Sequence, residues 1–167
     1  MALHEQSIGA TDEWYTPRPV FEALGYEFDL DVASPGQEIT PWIPAKVFIT
    51  RDSLTVPWTG FVWMNAPFCK RNGMVPWLEK FFVHGSGVVL TPDRTSTPWW
   101  QIYAAKAELI LFTRGKLQFI SANGAPGTSP AQGTSLFAVG PQGCAALERA
   151  AANGLGLLMA PHHRGQS

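Results

Sequence analysis

The chain has 167 residues, 46% of them hydrophobic and 15% charged, with a net charge of −1. That is enough material for one sizeable core. It excludes a long charged linker, since a typical domain is ~25% charged, and the short, interrupted apolar runs offer no transmembrane span. Met1 to Ala10 lacks the apolar stretch of a signal peptide, and Cys69 and Cys144, with no CxxC pair, exclude a disulfide framework and a zinc knuckle, so a reducing cytoplasm is the expected setting.

In chain order, Thr16 as N-cap and Pro17 at the first helical position open a helix. Val20, Phe21 and Leu24 form its apolar stripe and Gly25 ends it. A strand is expected over 27–32, where Phe28 and Leu30 alternate with Asp29 and Asp31. Pro35, Pro41 and Pro44 exclude a helix interior over the stretch that follows. Further strands are expected over 46–50 and 61–64, with Asp52 on the loop between them. Pro76 opens a helix with Val75, Leu78, Phe81 and Phe82 on its apolar face. A buried strand over 87–91 leads to a helix started by Thr97 and Pro98, with Trp99, Ile102 and Tyr103 facing inward. Strands over 109–113, 117–121 and 135–139 follow, the last two separated by a Gly-, Pro-, Ser- and Ala-rich loop over 122–133. A helix over 144–153 completes the list.

Strands alternating with helices predict an α/β domain with a mostly parallel sheet. The last two strands, joined without a helix, are expected to form a C-terminal antiparallel hairpin. The organisation expected is a flexible N-terminus over 1–11, one domain over 12–160 and a flexible tail over 161–167. His162 and His163 in that tail have no companion ligands nearby, so no metal site is expected. Charge is unevenly spread: residues 1–60 carry nine acidic and three basic side chains, residues 61–167 four acidic and nine basic. Such a split can simply balance the faces of a fold, or mark separate partner surfaces.

In open α/β sheets, ligands bind beyond the carboxyl ends of the strands. Asp29 and Asp31, Asp52, and Asn65-Ala66-Pro67-Phe68 all fall there. Each acid alone reads equally well as a solvated turn residue. The tetrapeptide is more specific, because an amide follows an apolar strand directly and an aromatic ring closes the turn.

Asn65-Ala66-Pro67-Phe68 resembles the Asn/Asp-Pro-Pro-Tyr/Phe motif of amino-group methyltransferases. Asp12-Glu13-Trp14-Tyr15-Thr16-Pro17, Phe28-Asp29-Leu30-Asp31, Asp52-Ser53-Leu54 and Trp58-Thr59-Gly60-Phe61-Val62-Trp63-Met64 precede it. Leu90-Thr91-Pro92-Asp93-Arg94-Thr95, Trp99-Trp100 and the run from Phe112 to Phe119 follow it. Together this ordered set, spanning Asp12 to Gly140, resembles the phage-type DNA N6-adenine methyltransferase (Dam) family.

The resemblance implies a Rossmann-like, S-adenosylmethionine-dependent methyltransferase fold. It implies that Asn65 and the Ala66 carbonyl accept the N–H groups of an exocyclic amine, that Pro67 stiffens the turn, and that Phe68 stacks on a base flipped from the duplex. It assigns Trp14, Tyr15, Thr16, Asp29, Asp31 and Asp52 to S-adenosylmethionine. Lys70, Arg71, Arg94, Arg114 and Lys116 become candidates for DNA phosphates, although any one of them also reads as an ordinary surface charge. DNA is the implied partner, a membrane is not, and a homo-oligomer stays open. Protection of a viral genome from host nucleases is an implied role. The same tetrapeptide also serves N4-cytosine methylation, and a homologue that only binds DNA is the other reading.

Two departures from the family pattern stand out. Ala66 takes the place of the more frequent Pro, which keeps the carbonyl but loosens the turn. Ser34-Pro35-Gly36 stands where a Gly-x-Gly turn would follow the first strand.

Overall fold

The computed structural model describes residues 14–68, 73–127 and 132–162. Asp12, Glu13, Cys69, Lys70, Arg71 and His163 lie outside the described residues, as does part of the 122–133 loop. The elements in chain order are β1 (Trp14–Tyr15), α1 (Arg18–Leu24), β2 (Phe28–Asp31), β3 (Ala45–Phe48), β4 (Val62–Met64), α2 (Val75–His84) and β5 (Gly87–Pro92). They continue with α3 (Pro98–Ala104), β6 (Leu109–Thr113), β7 (Ile120–Ser121), β8 (Thr134–Val139), α4 (Gly140–Ala152) and β9 (Gly156–Met159).

Seven strands form one sheet in the order β3-β2-β4-β5-β8-β6-β9. The pairings β3–β2, β2–β4 and β4–β5 are parallel, and β5–β8, β8–β6 and β6–β9 are antiparallel. Strands β3, β2, β4, β5 and β6 therefore run one way, and β8 and β9 run against them. The sheet is mixed α/β, consistent with a Rossmann-like fold. Leu78, Phe81, Trp99, Trp100 and Tyr103 from α2 and α3 pack with Val62, Met64, Val89 and Phe137 on one face. Val20, Phe21, Leu24, Ala146, Leu147 and Ala150 from α1 and α4 pack with Trp63, Val88, Leu90, Leu111 and Leu136 on the other. Period-2 alternation along β4, β5 and β8 thus divides each strand between two apolar layers.

Several expectations need correction, among them Ile102, which is exposed on α3 while Trp100 takes the inward place. The strands read over 117–121 and 135–139 do not form a hairpin. Only Ile120–Ser121 is extended, and it pairs antiparallel with β1, Trp14↔Ser121 and Tyr15↔Ile120, outside the main sheet. β8 instead inserts between β5 and β6, where a strand apolar on both faces is buried over all six residues. Thr16 does not cap α1. The N-cap is Pro17, with no side-chain cap bond, and the Thr16 hydroxyl is buried without a partner. The C-terminal end matches expectation: Gly25 takes φ +64° and its N–H donates to the Phe21 carbonyl at 2.9 Å. The last helix begins at Gly140, not at 144, and β9 follows it as an edge strand.

Strict alternation also fails in β2. The N–H groups of Asp29 and Leu30 both donate to the Phe61 carbonyl, at 2.7 and 3.4 Å. This bulge puts Phe28 in the α1/α4 layer and Leu30 in the α2/α3 layer. Phe28 stacks on Phe61 with ring centroids 4.6 Å apart and has no exposed surface. Phe28→Ala is therefore expected to cost about 3–5 kcal/mol, read as a lowered midpoint in urea unfolding.

Candidate active site

The carboxyl ends of β2, β3 and β4 open into one cleft of about 740 Å³. Trp14, Tyr15 and Thr16 form one side of it, the turn after β2 a second, residues 49–55 a third and Asn65–Phe68 a fourth. Ile43, Ile49, Leu54 and Trp77 add apolar wall.

Asn65 directly follows the buried β4, so its backbone is fixed by sheet pairing while its side chain stands at the cleft. Its Nδ2 donates to the Trp14 carbonyl at 2.9 Å. A carbonyl oxygen can only accept, so this bond assigns the amide orientation and leaves Oδ1 as the unused acceptor. Ala66 is buried, Phe68 is half-buried, and with Pro67 both line the cleft.

Asp31 ends β2 and is 2% exposed. Burial raises its pKa from 3.8 to about 7, opposed only in part by hydrogen bonds from the Ala33 N–H and the Ser34 side chain. Two more buried polar atoms, Thr16 Oγ1 and Trp63 Nε1, have no hydrogen-bond partner, and both residues line the same cleft. Natively buried polar groups are almost always paired, so the Thr16 hydroxyl and the Trp63 indole N–H stand out as unsatisfied groups in the cleft that Asp31 also lines. Trp42 Nε1 donates to the Thr16 carbonyl at 2.9 Å and holds this wall in place.

Asp52 lines the cleft from the loop after β3, with its side chain exposed. It takes φ +52°, the one positive-φ residue other than glycine among those described. Its carbonyl accepts from Thr55 N–H at 2.8 Å and Val56 N–H at 3.2 Å. Trp58 Nε1 donates to Ser53, and Lys80 from α2 donates to the Ser53 and Val56 carbonyls. The left-handed conformation is thus imposed by surrounding contacts, a pattern that clusters at functional sites.

Not every expected residue converges. Asp29 lies outside the cleft lining. Its carboxylate accepts from Lys46 Nζ at 2.8 Å and from the Phe61 N–H at 2.8 Å, which hold its pKa below the usual range. The β2 bulge separates it from Asp31, and its role here is to bind β2 to the start of β4. Arg94 and Arg114 stand in loops after β5 and β6, on the same sheet edge as Asn65 but outside the cleft lining. Lys116 follows on the β6 loop, exposed. Lys70 and Arg71 lie outside the described residues. Among the described residues no group of three or more His, Cys, Asp or Glu side chains is placed to hold a metal ion.

Sequence reading missed Trp63, Trp77, Ser34 and Arg51 as cleft residues. Trp63 looks like ordinary core on an apolar strand. Trp77 carries a faint signal, because it falls off the Val75, Leu78, Phe81, Phe82 stripe of its helix.

The elements define an α/β domain in which one cleft gathers acceptors and aromatic rings at the carboxyl edge of parallel strands. The profile of the DNA N-6-adenine-methyltransferase (Dam) family matches residues 5–139, and the chain belongs to that family. Comparisons with curated proteins and with solved structures returned no match. No helix among the described residues is long and apolar enough to cross a membrane.

The raised Asp31 pKa fixes the sign of a pH effect. Between 3.8 and about 7 the folded chain keeps a proton that the unfolded chain has lost. Stability of the ligand-free protein is expected to fall as pH rises through that window, by roughly 1 kcal/mol per pH unit. Asp31→Asn should flatten the slope and exceed the parent's stability at pH 8, measured as urea midpoints across pH.

Proposed function

We propose that the chain transfers a methyl group from S-adenosylmethionine to the N6 amine of a DNA adenine flipped out of the duplex. The observation that carries this reading is the Asn65 amide, whose N–H₂ is engaged by the Trp14 carbonyl so that Oδ1 is left to accept. The adenine amine is a weak nucleophile, because its lone pair is delocalised into the ring. Two acceptors that hold its two N–H groups favour a pyramidal nitrogen with the lone pair aimed at a methyl donor. Asn65 Oδ1 supplies one and the Ala66 carbonyl the other, with Phe68 stacking on the base. Stacking of that kind is worth about 1–3 kcal/mol.

The residues in the cleft fit the cofactor's chemistry. Asp31 suits its α-ammonium group, and the unpartnered Thr16 Oγ1 and Trp63 Nε1 suit its carboxylate and hydroxyl oxygens. Trp14 and Tyr15 line the same end, and Asp52 suits the adenine amine of the cofactor. When bound, S-adenosylmethionine supplies a methyl group activated by a sulfonium charge. A cation beside Asp31 favours its ionised form, so binding is expected to release a proton near pH 7. Arg94, Arg114 and Lys116, with Lys70 and Arg71, are proposed to contact DNA phosphates, which position the duplex without reading sequence.

DNA from cells producing the chain is expected to carry N6-methyladenine on modified-base sequencing. N4-methylcytosine alone, or unmodified DNA together with no calorimetric S-adenosylmethionine binding, would refute the proposal. Asn65→Ala is expected to lower turnover by about 100-fold or more while the cofactor dissociation constant holds. Asp52→Ala should weaken cofactor binding roughly 10-fold, and an unchanged calorimetric constant removes Asp52 from the site.

A further inference from the structure

The Asn65 amide is aimed by one backbone atom, and that atom belongs to a segment far from β4 in sequence. Trp14 pairs with Ser121 and Tyr15 with Ile120, so the carbonyl that receives Asn65 Nδ2 is held by β7. β7 is one arm of a short turn structure. Ile120 bridges Pro126, Ser121 N–H donates to the Ala125 carbonyl at 3.0 Å, and Gly127 N–H donates to the Phe119 carbonyl at 2.8 Å. Phe119 anchors the arm in the α1/α4 core. The Trp14 ring lies directly on Gly127: a Cβ added at that glycine would overlap the ring at Cζ3 and stand 3.1 Å from the Phe119 carbonyl.

We infer that Trp14 is a positioning residue for Asn65, held in place by Gly127 and the 119–127 turn. This rests on the proposed role of Asn65 and goes beyond it. An unrestrained carboxamide can present either its oxygen or its N–H₂ to the cleft. Only the oxygen can receive an amine N–H, so an amide turned end for end repels the acceptor base. The Trp14 carbonyl excludes that orientation. The turn lies outside the cleft lining, with Ala122, Asn123 and Gly124 exposed at its tip. A ligand that shifts the turn therefore shifts the carbonyl that sets the polarity of the catalytic amide.

Gly127→Ala tests this without substituting Asn65 or any residue that lines the cleft. Gly127 does not need a left-handed backbone, so the added methyl acts by pushing the Trp14 ring. Two readouts are expected to move together. In the NMR spectrum of ¹⁵N-labelled protein without ligand, the Asn65 side-chain N–H₂ loses its hydrogen-bonded shift and its protection from exchange. In turnover, kcat falls roughly 10- to 100-fold, with the calorimetric S-adenosylmethionine constant changing less than about threefold. Trp14→Phe, which shortens the ring, should restore both readouts in the Gly127→Ala background. An unchanged Asn65 N–H₂ signal in a folded Gly127→Ala protein overturns the inference, as does a lost signal that Trp14→Phe leaves lost. If Gly127→Ala does not fold, the parent protein decides: an Asn65 N–H₂ that exchanges like a free amide refutes the coupling. The NMR readout needs no methylation, so it separates failure of the positioning from failure of the methyltransferase reading. If the Asn65 signal moves as expected and turnover does not, Asn65 is positioned by Trp14 but is not the catalytic amide.

Discussion

A carboxyl group is costly to bury where its neighbours are an N–H and a hydroxyl and not a cation, and Asp31 is held in that way at the floor of the cleft. The cost can be sustained because β2 is clamped between β3 and β4 in parallel register, with Leu30 opposite both Val47 and Val62. Phe28, Phe61 and Trp63 pack beneath one end of that clamp as a cluster of rings. Its other end, where the strands stop pairing, is where Asp31, Asp52 and Asn65 emerge. The apolar layers thus support a site that is itself unfavourable, the usual division between scaffold and functional surface.

How much of this was legible in the sequence follows from how local each signal is. β5 and β6 lie within a residue of their expected bounds, and α2 and α3 start within a residue of their expected openings, because period and punctuation lie inside each segment. β1 and β9 were missed for the opposite reason. A two-residue strand is defined only by its partner, and β9 carries a mere Leu-Leu-Met as an edge against β6. The expected hairpin does not form, because adjacency in sequence does not make β7 and β8 neighbours in the sheet. β8 is buried on both faces and has two neighbours, whereas of 117–121 only Ile120 and Ser121 pair, and with β1.

The site divides along the same line. Asn65 to Phe68 was readable because strand, amide and ring are contiguous. Asp29 and Asp31 looked equivalent, since simple alternation puts them on one face. The double acceptance at the Phe61 carbonyl breaks that alternation, and Lys46 takes Asp29. Thr16 looked like a helix cap and became a buried hydroxyl at the cleft because Pro17 displaced it by one position. Neither outcome is visible before the long-range contacts exist. The link from Asn65 to Trp14 spans 51 residues and could not be read from either segment alone.

The charge split gains a spatial meaning from strand order. β3 and β2 lie to one side of β4, with Asp52 on the loop after β3 and Asp31 at the end of β2. β5, β8 and β6 lie to the other side, and Arg94, Arg114 and Lys116 follow β5 and β6. Asn65, at the end of β4, stands on the line between them. On the proposed reading this order does mechanical work. A cationic methyl donor is drawn to the acidic side and a polyanion to the basic side, so that each field disfavours the wrong ligand in the other's place. Their shared boundary is the position where amine and methyl group must meet. Parallel strands bring all these ends to one edge of the sheet, so the acidic and basic stretches of the sequence can face one another across a single residue.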